Sequence, residues 1–303
     1  MDSGDSTLNV IPTTGGRVLM SLSDAGLHYL IAGARASVGV KAGRYLYEVR
    51  VLEMYNPHEM VRRASQAMPK QHVRFGFSTA NSSLFLGESE ESVCFDLDGN
   101  FVANKRKIPV AQRSTRDQVI GILLNLDQGS PNANTVSLYW QGQRASLPQP
   151  IPEALRGKPL FPHVNFRNVS LHVNFGPEPL KPLAFKCRTL QSAAADDVVS
   201  APVAGPKDGK YEVLFPVCLP DEGTFDWLDS FLAKHPEYTE LSDRKIVEWA
   251  NISGWKTKNH QWNNSNDKPD VSFGTQPLEE LNARRIIHAV APLVPRNYVV
   301  MEV

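Results

Sequence analysis

Residues Lys210 to Phe231, KYEVLFPVCLPDEGTFDWLDSF, have the outline of a phosphate-binding loop: an apolar run of strand character, a glycine-containing turn, then an amphipathic helix. The working pattern for that chemistry is G-x-x-x-x-G-K-S/T. Small residues let backbone N–H groups close round the phosphates, the lysine reaches the β/γ oxygens, and the hydroxyl ligates magnesium. Laid on Cys218 to Phe225, the pattern keeps only its second glycine, Gly223. Cys218 stands at the first glycine, Thr224 at the lysine and Phe225 at the hydroxyl ligand, while Asp221 and Glu222 occupy the loop itself. Even at an effective dielectric of about 20, like charges roughly 4 Å apart cost about 4 kcal/mol. Such a loop repels a polyanion. The residues instead predict a plain strand-to-helix turn, with Asp221 and Glu222 at the positive end of the helix dipole and Thr224 or Asp221 as the cap. No nucleotide, cofactor or catalytic role is expected of it.

Other reactive constellations are missing from the sequence. The 8 histidines form no H-x-x-x-H pair, no G-x-S-x-G elbow occurs, and His163 and His172 fall in strand-like stretches as packed or edge residues. Cys94, Cys187 and Cys218 are far apart and suggest neither a disulfide framework nor a thiolate zinc site. WKTKNHQWNNSNDKP, with Trp255 and Trp262 among Lys256, Lys258 and His260, reads as an exposed loop anchored by its tryptophans rather than a base-stacking strip.

Two arginines stand out from apolar surroundings. Arg35 lies in AGARASVGV, and Arg74 interrupts VRFGF, where alternation sends Val73, Phe75 and Phe77 to the packed side and Arg74 to the other. Each guanidinium is a planar fork suited to a carboxylate or phosphate. The competing reading pairs them with structural acids such as Glu48 or Glu88.

The elements that must position these groups fall into two grammars. Residues 17–185 consist of short stretches such as RYLYEVRVLEM, HVRFGFST, VIGILLNLD and TVSLYWQG, separated by Gly, Asn, Asp and Pro turns, which predicts an antiparallel β-sandwich. Residues 1–16 read as an N-terminal tail and 186–209, rich in Ala, Ser, Pro and Gly, as a linker. From 210 to 303 the order becomes strand, helix, helix, helix, strand, which predicts a small α/β unit with a parallel sheet. In its first helix Phe225, Leu228, Phe231 and Leu232 share a face, and Ser242 is placed to cap the second.

Lys plus Arg and Asp plus Glu balance at 32 each among 303 residues, so no global field draws a polyanion or an anionic membrane. Any RNA contact is expected to be weak or indirect. The acidic, polar N-terminus lacks a secretory or transit pattern, and no apolar run reaches membrane length, which together read as an intracellular chain of the nucleus or cytosol.

GARASVGVKAGRYLYEVRV, HVRFGFST with LFLGE, VIGILLNLD and GKPLFPHVNFRNVSLHVNFG, with its NFG ending, resemble the SPRY domain, a β-sandwich interaction module. The second part resembles the kinase-like P-loop domain that follows SPRY in the heterogeneous nuclear ribonucleoprotein U family, through Leu219, Pro220, Gly223, Trp227 and the strand PRNYVVMEV. Met301 falls where that family's acidic residue is expected. Since the family continues for several more strands, the resemblance implies a degenerate and incomplete domain here. For the sandwich it implies a partner-binding face at one edge, with Arg35 and Arg74 contributing, and with Arg62 and Arg63 adding charge where the loop 55–70 folds over that edge. The expectation is a non-catalytic scaffold binding an acidic peptide or protein, with a role in a ribonucleoprotein complex as the alternative and an active nucleotide kinase disfavoured.

Overall fold

In a computed structural model, which describes residues 1–2, 4–13, 15–55, 70–114, 117–201, 209–216, 223–254 and 296–301, all the strand-like stretches of the first 185 residues form strands. The chain divides into two units: Met1–Leu22 with Ile31–Ala201, and Ser23–Leu30 with Pro202–Val303.

The first unit runs β1 (Val10–Thr13), β2 (Val18–Ser21), β3 (Ala32–Arg35), β4 (Val38–Val40), β5 (Arg44–Met54), β6 (His72–Ser78), β7 (Ser92–Asp96), β8 (Asn100–Ala103) and β9 (Arg106–Pro109). There follow β10 (Val119–Asn125), β11 (Thr135–Trp140), β12 (Gln143–Arg144), β13 (Gln149–Pro150), β14 (Phe161–Arg167), β15 (Val169–Asn174), β16 (Arg188–Thr189) and β17 (Val198–Ser200). One sheet has the order β1-β2-β15-β5-β10-β11-β12, with β13 on β11 and β16 on β5; the other is β3-β14-β6-β7-β8-β9. The core lies between them, filled by alternate residues: Tyr45, Tyr47, Val49 and Val51 from β5, Ile120, Ile122 and Leu124 from β10, Val73, Phe75 and Phe77 from β6. The opposite face of β10 is apolar for a separate reason. Leu123, with Leu46 and Tyr139, forms a second cluster covered by Leu183 and Phe185 of the segment after β15.

Two placements differ from the sequence reading. Residues 1–16 are not a loose tail, because β1 pairs with β2 and Asp5 and Thr7 bond to β3. Residues 186–201 pack on the sandwich: β16 pairs with β5, β17 with β4, and the Tyr45 hydroxyl donates to the Asp197 carboxylate. FPHVNFR is an interior strand, β14, between β3 and β6. Pro162 is tolerated there because its carbonyl accepts from Ala36, beyond the end of β3, so the missing N–H faces no ladder partner.

The second unit contains a 3-10 turn (Asp24–Tyr29), β18 (Val213–Leu214), α1 (Thr224–Lys234), β19 (Tyr238–Ser242), α2 (Asp243–Ile252) and β20 (Asn297–Met301). The three strands pair in parallel in the order β18-β20-β19. Phe225 and Leu228 of α1 pack with Val299 and Met301 of β20. Ser242 caps α2, its side chain accepting from the Lys245 N–H at 3.3 Å. The cap of α1 is Gly223, with φ +89° and no side-chain cap bond, so Thr224 is the first helical residue rather than the cap. Cys218, Asp221 and Glu222 lie outside the described residues, as do Arg62, Arg63, the 255–269 loop and the helix read at 277–290.

Candidate functional site

Strand register assembles a polar array on the outer face of the six-stranded sheet. One cross-strand row holds Arg35, His163, Gly76, Cys94 and Val102; the next holds Gly33, Asn165, Arg74 and Asp96; a third pairs Arg167 with His72. The stretch between β6 and β7, residues 79–91, lies across the first two rows. Leu86 fills the apolar end against Cys94 and Val102. Gly33 lets the loop approach, since a Cβ there would sit 2.1 Å from the Leu84 carbonyl oxygen.

Arg35 holds this loop from beneath and is itself only 1% exposed. Its Nε donates to Ser78 Oγ at 2.9 Å, Nη1 to Asp5 Oδ2 at 3.0 Å, and Nη2 to Ser82 Oγ at 3.1 Å and to the Ser82 and Ser83 carbonyls. Burial pulls its pKa down and Asp5 opposes that pull. A fully buried guanidinium persists only because all three nitrogens find acceptors and one is a carboxylate. The chain of donors continues: Ser78 Oγ, accepting from Arg35, donates to His163 Nδ1 at 2.8 Å, which places the His163 proton on Nε2, 3.2 Å from the Leu84 carbonyl. Burial, with the Arg35 charge beside it, drives the His163 pKa well below its ordinary value. Asn165 completes the hold, donating to Leu84 O at 2.7 Å and accepting from the Leu86 N–H.

Arg74, two residues from the first row, reaches the rim. Its side chain is 21% exposed; Nη1 donates to the Leu86 carbonyl and pairs with Glu88 at 3.1 Å, while Nη2 makes no hydrogen bond to the described residues. Beside it Lys107 bonds Asp96 at 2.7 Å. Burial works against the Asp96 charge, but Lys107 and Asn100 outweigh it and hold the carboxyl below its usual range. His72 is pushed down to about 3 by burial, with Arg74 and Arg167 adding to it. Arg167 donates from Nε and Nη2 to the Lys70 carbonyl, at 3.2 and 3.1 Å, next to the stretch 56–69 that carries Arg62 and Arg63.

Of the two sequence-predicted arginines, then, Arg35 presents no surface and Arg74 does. Glu88 is Arg74's partner. Glu48 serves neither arginine; it lies on the other sheet, accepting from the Leu180 N–H at 2.6 Å and Asn174 Nδ2 at 2.9 Å. The roles of His163 and Asn165 were carried by a visible signal: in FPHVNF they alternate with apolar residues on the Arg35 face of a strand buried on both sides. Among the described residues no group of three His, Cys, Asp or Glu side chains is placed to hold a metal, and no helix is long and apolar enough to cross a membrane.

The family model for the SPRY domain matches residues 44–178. The chain carries a SPRY domain. That domain is a protein-interaction fold rather than a catalytic one, and SPRY domains bind protein partners. Over 230 residues, 74% of its length, the chain is 26% identical to heterogeneous nuclear ribonucleoprotein U-like protein 2 of Mus musculus, and over 236 residues it is 25% identical to that of Homo sapiens. It spans 30% of the length of each of these relatives. Among solved structures it is similar to the SPRY domain of human HERC1, at 16% identity and a TM-score of 0.42, covering 57% of this chain and 96% of that one. A human SPRY domain compares at 15% identity and a TM-score of 0.41, covering 57% and 99%.

Proposed function

We propose that the chain is a non-catalytic scaffold whose SPRY domain takes an acidic segment of a protein partner at the Arg74 rim, with Arg62 and Arg63 adding charge at the same edge. The observation that carries this reading is a partly exposed guanidinium set beside a loop fixed from beneath. Nη1 is oriented by Leu86 and Glu88, and Nη2 is left for a ligand. A surface held in place before binding loses little entropy on complex formation. Arg35 belongs to the site as the group that fixes the loop, not as a contact. The test is quantitative affinity purification with the full chain and its Arg74→Ala variant. Loss of a defined set of acidic partners at an unchanged melting temperature is the expected result; recovery of the same set from both proteins would overturn it.

In this reading the second unit is a degenerate phosphate-loop domain kept for packing or interaction. Its support is Met301, buried against Phe225 and Leu228 where a metal-facing acid would stand, together with the loop acids Asp221 and Glu222. Titrating MgATP against melting temperature checks it, with no shift expected and a saturable rise of several degrees contradicting it.

A second reading places the chain, in the nucleus or cytosol, within a ribonucleoprotein complex. It is favoured by the likeness to the two heterogeneous nuclear ribonucleoprotein U-like relatives. The balanced charge keeps direct RNA contact weak, so a steeply salt-dependent shift of labelled RNA is the observation that would promote it over the first.

A further inference from the structure

We infer that a second, separate site on the SPRY domain, on the outer face of the other sheet, binds an oxyanion carried on a partner's side chain: a phosphoryl group or a carboxylate. The register of β5, β10 and β11 sets Arg44, Asn125 and Thr135 in one cross-strand row, Leu123 and Ser137 in the next, and Tyr139 opposite Arg144 in a third. Where the covering segment passes over this face at Phe185, it leaves a cavity of about 250 Å³ floored by Leu123, Asn125 and Ser137 and flanked by Arg44 and Arg144. Its only charged lining groups are those two arginines.

Neither arginine has a carboxylate within ion-pairing distance among the described residues. Among the described residues Arg44 hydrogen-bonds the Lys186 carbonyl, at 3.3 Å, and the Arg144 guanidinium rests over the Tyr139 ring at 5.3 Å, so both are oriented without being neutralised. The neighbouring polar groups behave differently. Asn125 is buried and saturated, donating to Ser130 Oγ and the Asn132 carbonyl, both at 2.9 Å, and accepting from the Asp127 N–H, so it shapes the floor. Ser137, only 3% exposed, makes no side-chain hydrogen bond to the described residues, which leaves a hydroxyl donor at the base of the cavity.

Two arginines and a free hydroxyl lining one small cavity suit a single compact oxyanion. The adjoining cavity behind Arg44 adds Lys186 and Arg188 against Asp127 and Asp197, and Asp197 already accepts from the Tyr45 hydroxyl. These four charges balance, so the cationic excess is confined to Arg44 and Arg144 of the pocket itself. A peptide fits better than a nucleic acid. Pro148 at the cavity wall is preceded by Leu147, 77% exposed and the most exposed large apolar side chain among the described residues, which offers an apolar contact next to the acid. The nearest ring, Phe185, is engaged with Tyr139 at 5.4 Å and is not a free stacking platform.

The test uses the full chain and three capped hexapeptides identical except for phosphoserine, glutamate or serine next to a leucine, followed by the arginine Nε–H and backbone signals in 1H–15N spectra. Phosphoserine is expected to shift Arg44, Arg144 and Ser137 saturably and serine not to; a matching response to glutamate assigns carboxylates as well. Arg44→Gln and Arg144→Gln should each weaken binding at least about tenfold, and Arg74→Ala should leave it unchanged. That last arm separates this site from the Arg74 rim, so either can fail alone. Absence of saturable shifts with both oxyanion peptides, or wild-type affinity in both glutamine variants, overturns the inference. Displacement of the phosphoserine peptide by single-stranded RNA without phosphoserine preference overturns it in favour of a nucleic-acid surface.

Discussion

Both sheets of the sandwich cover their outer faces with a segment of chain held by one buried charged side chain, yet the two holds are built oppositely. On the six-stranded sheet Arg35 spreads its donors over Ser78, Ser82, Ser83 and Asp5 and keeps a countercharge. On the nine-stranded sheet Glu48, 2% exposed, takes neutral donors alone, the Leu180 N–H and the Asn174 amide. Burial consequently raises the Glu48 pKa above its ordinary value, with the hydrogen bonds opposing that rise. The charge of Arg35 is a working part of its hold, whereas that of Glu48 is a cost its donors only partly offset. Beyond each hold the exposed cations begin: Arg74 on one side, Arg44 and Arg144 on the other.

The largest expected effect is on the cationic side. Arg35→Ala removes donors from Ser82 and Ser83, deletes the ion pair with Asp5 and opens a cavity, and should cost about 3 to 5 kcal/mol in urea unfolding. Amide exchange should accelerate over residues 79–88. A loss below about 1 kcal/mol would show that the loop holds itself. For the same reason a charge reversal at Arg35 cannot report on binding, since it would report on folding.

Acid should weaken this face next. His163 and His72 both have folded pKa values below the unfolded 6.5, so the unfolded chain binds protons first as pH falls. Their contribution is complete above about pH 6.5 and is lost progressively below it, down to the folded values, about 3 for His72. His163→Gln should flatten the acid limb of the melting temperature between about pH 6.5 and 4. An unchanged limb would assign acid sensitivity elsewhere.

Glu48→Gln should do least, within about 1 kcal/mol at pH 7, because one oxygen still accepts from Leu180 and the buried charge is gone. The sign follows from the raised folded pKa. Wild-type stability from this group is present below the unfolded value of about 4.5 and is lost as pH rises through the folded one, so the variant should compare best at neutral pH. A deficit there as large as that of Arg35→Ala would erase the contrast between the two holds.

How much of this was legible in the sequence follows the range of the interactions. Period-two alternation exposed β5 and β6 because their packed residues are local signals. The bonding of Asp5 and Thr7 to β3 and the docking of 186–201 on β4 and β5 depend on partners far along the chain, which composition does not encode, so a polar N-terminus and an Ala- and Ser-rich stretch passed for tail and linker. Arg35 and Arg74 looked equivalent, each a lone cation in an apolar stretch. Their divergence comes from register: Arg35 sits opposite His163 under the loop, and Arg74 two residues on, at its edge. In the second unit α1, α2, Ser242 and β20 were legible from helical periodicity, a cap and an apolar run. The strand β19 was not, because TELS carries no alternation stronger than its flanking turn.

The most direct test of the central claim, that the SPRY domain binds through the Arg74 rim over a loop set by Arg35, is calorimetric titration of a purified captured partner against the wild-type chain and Arg74→Ala. The account predicts a Kd raised at least about tenfold, with melting temperature held within a few degrees. An unchanged Kd would contradict it.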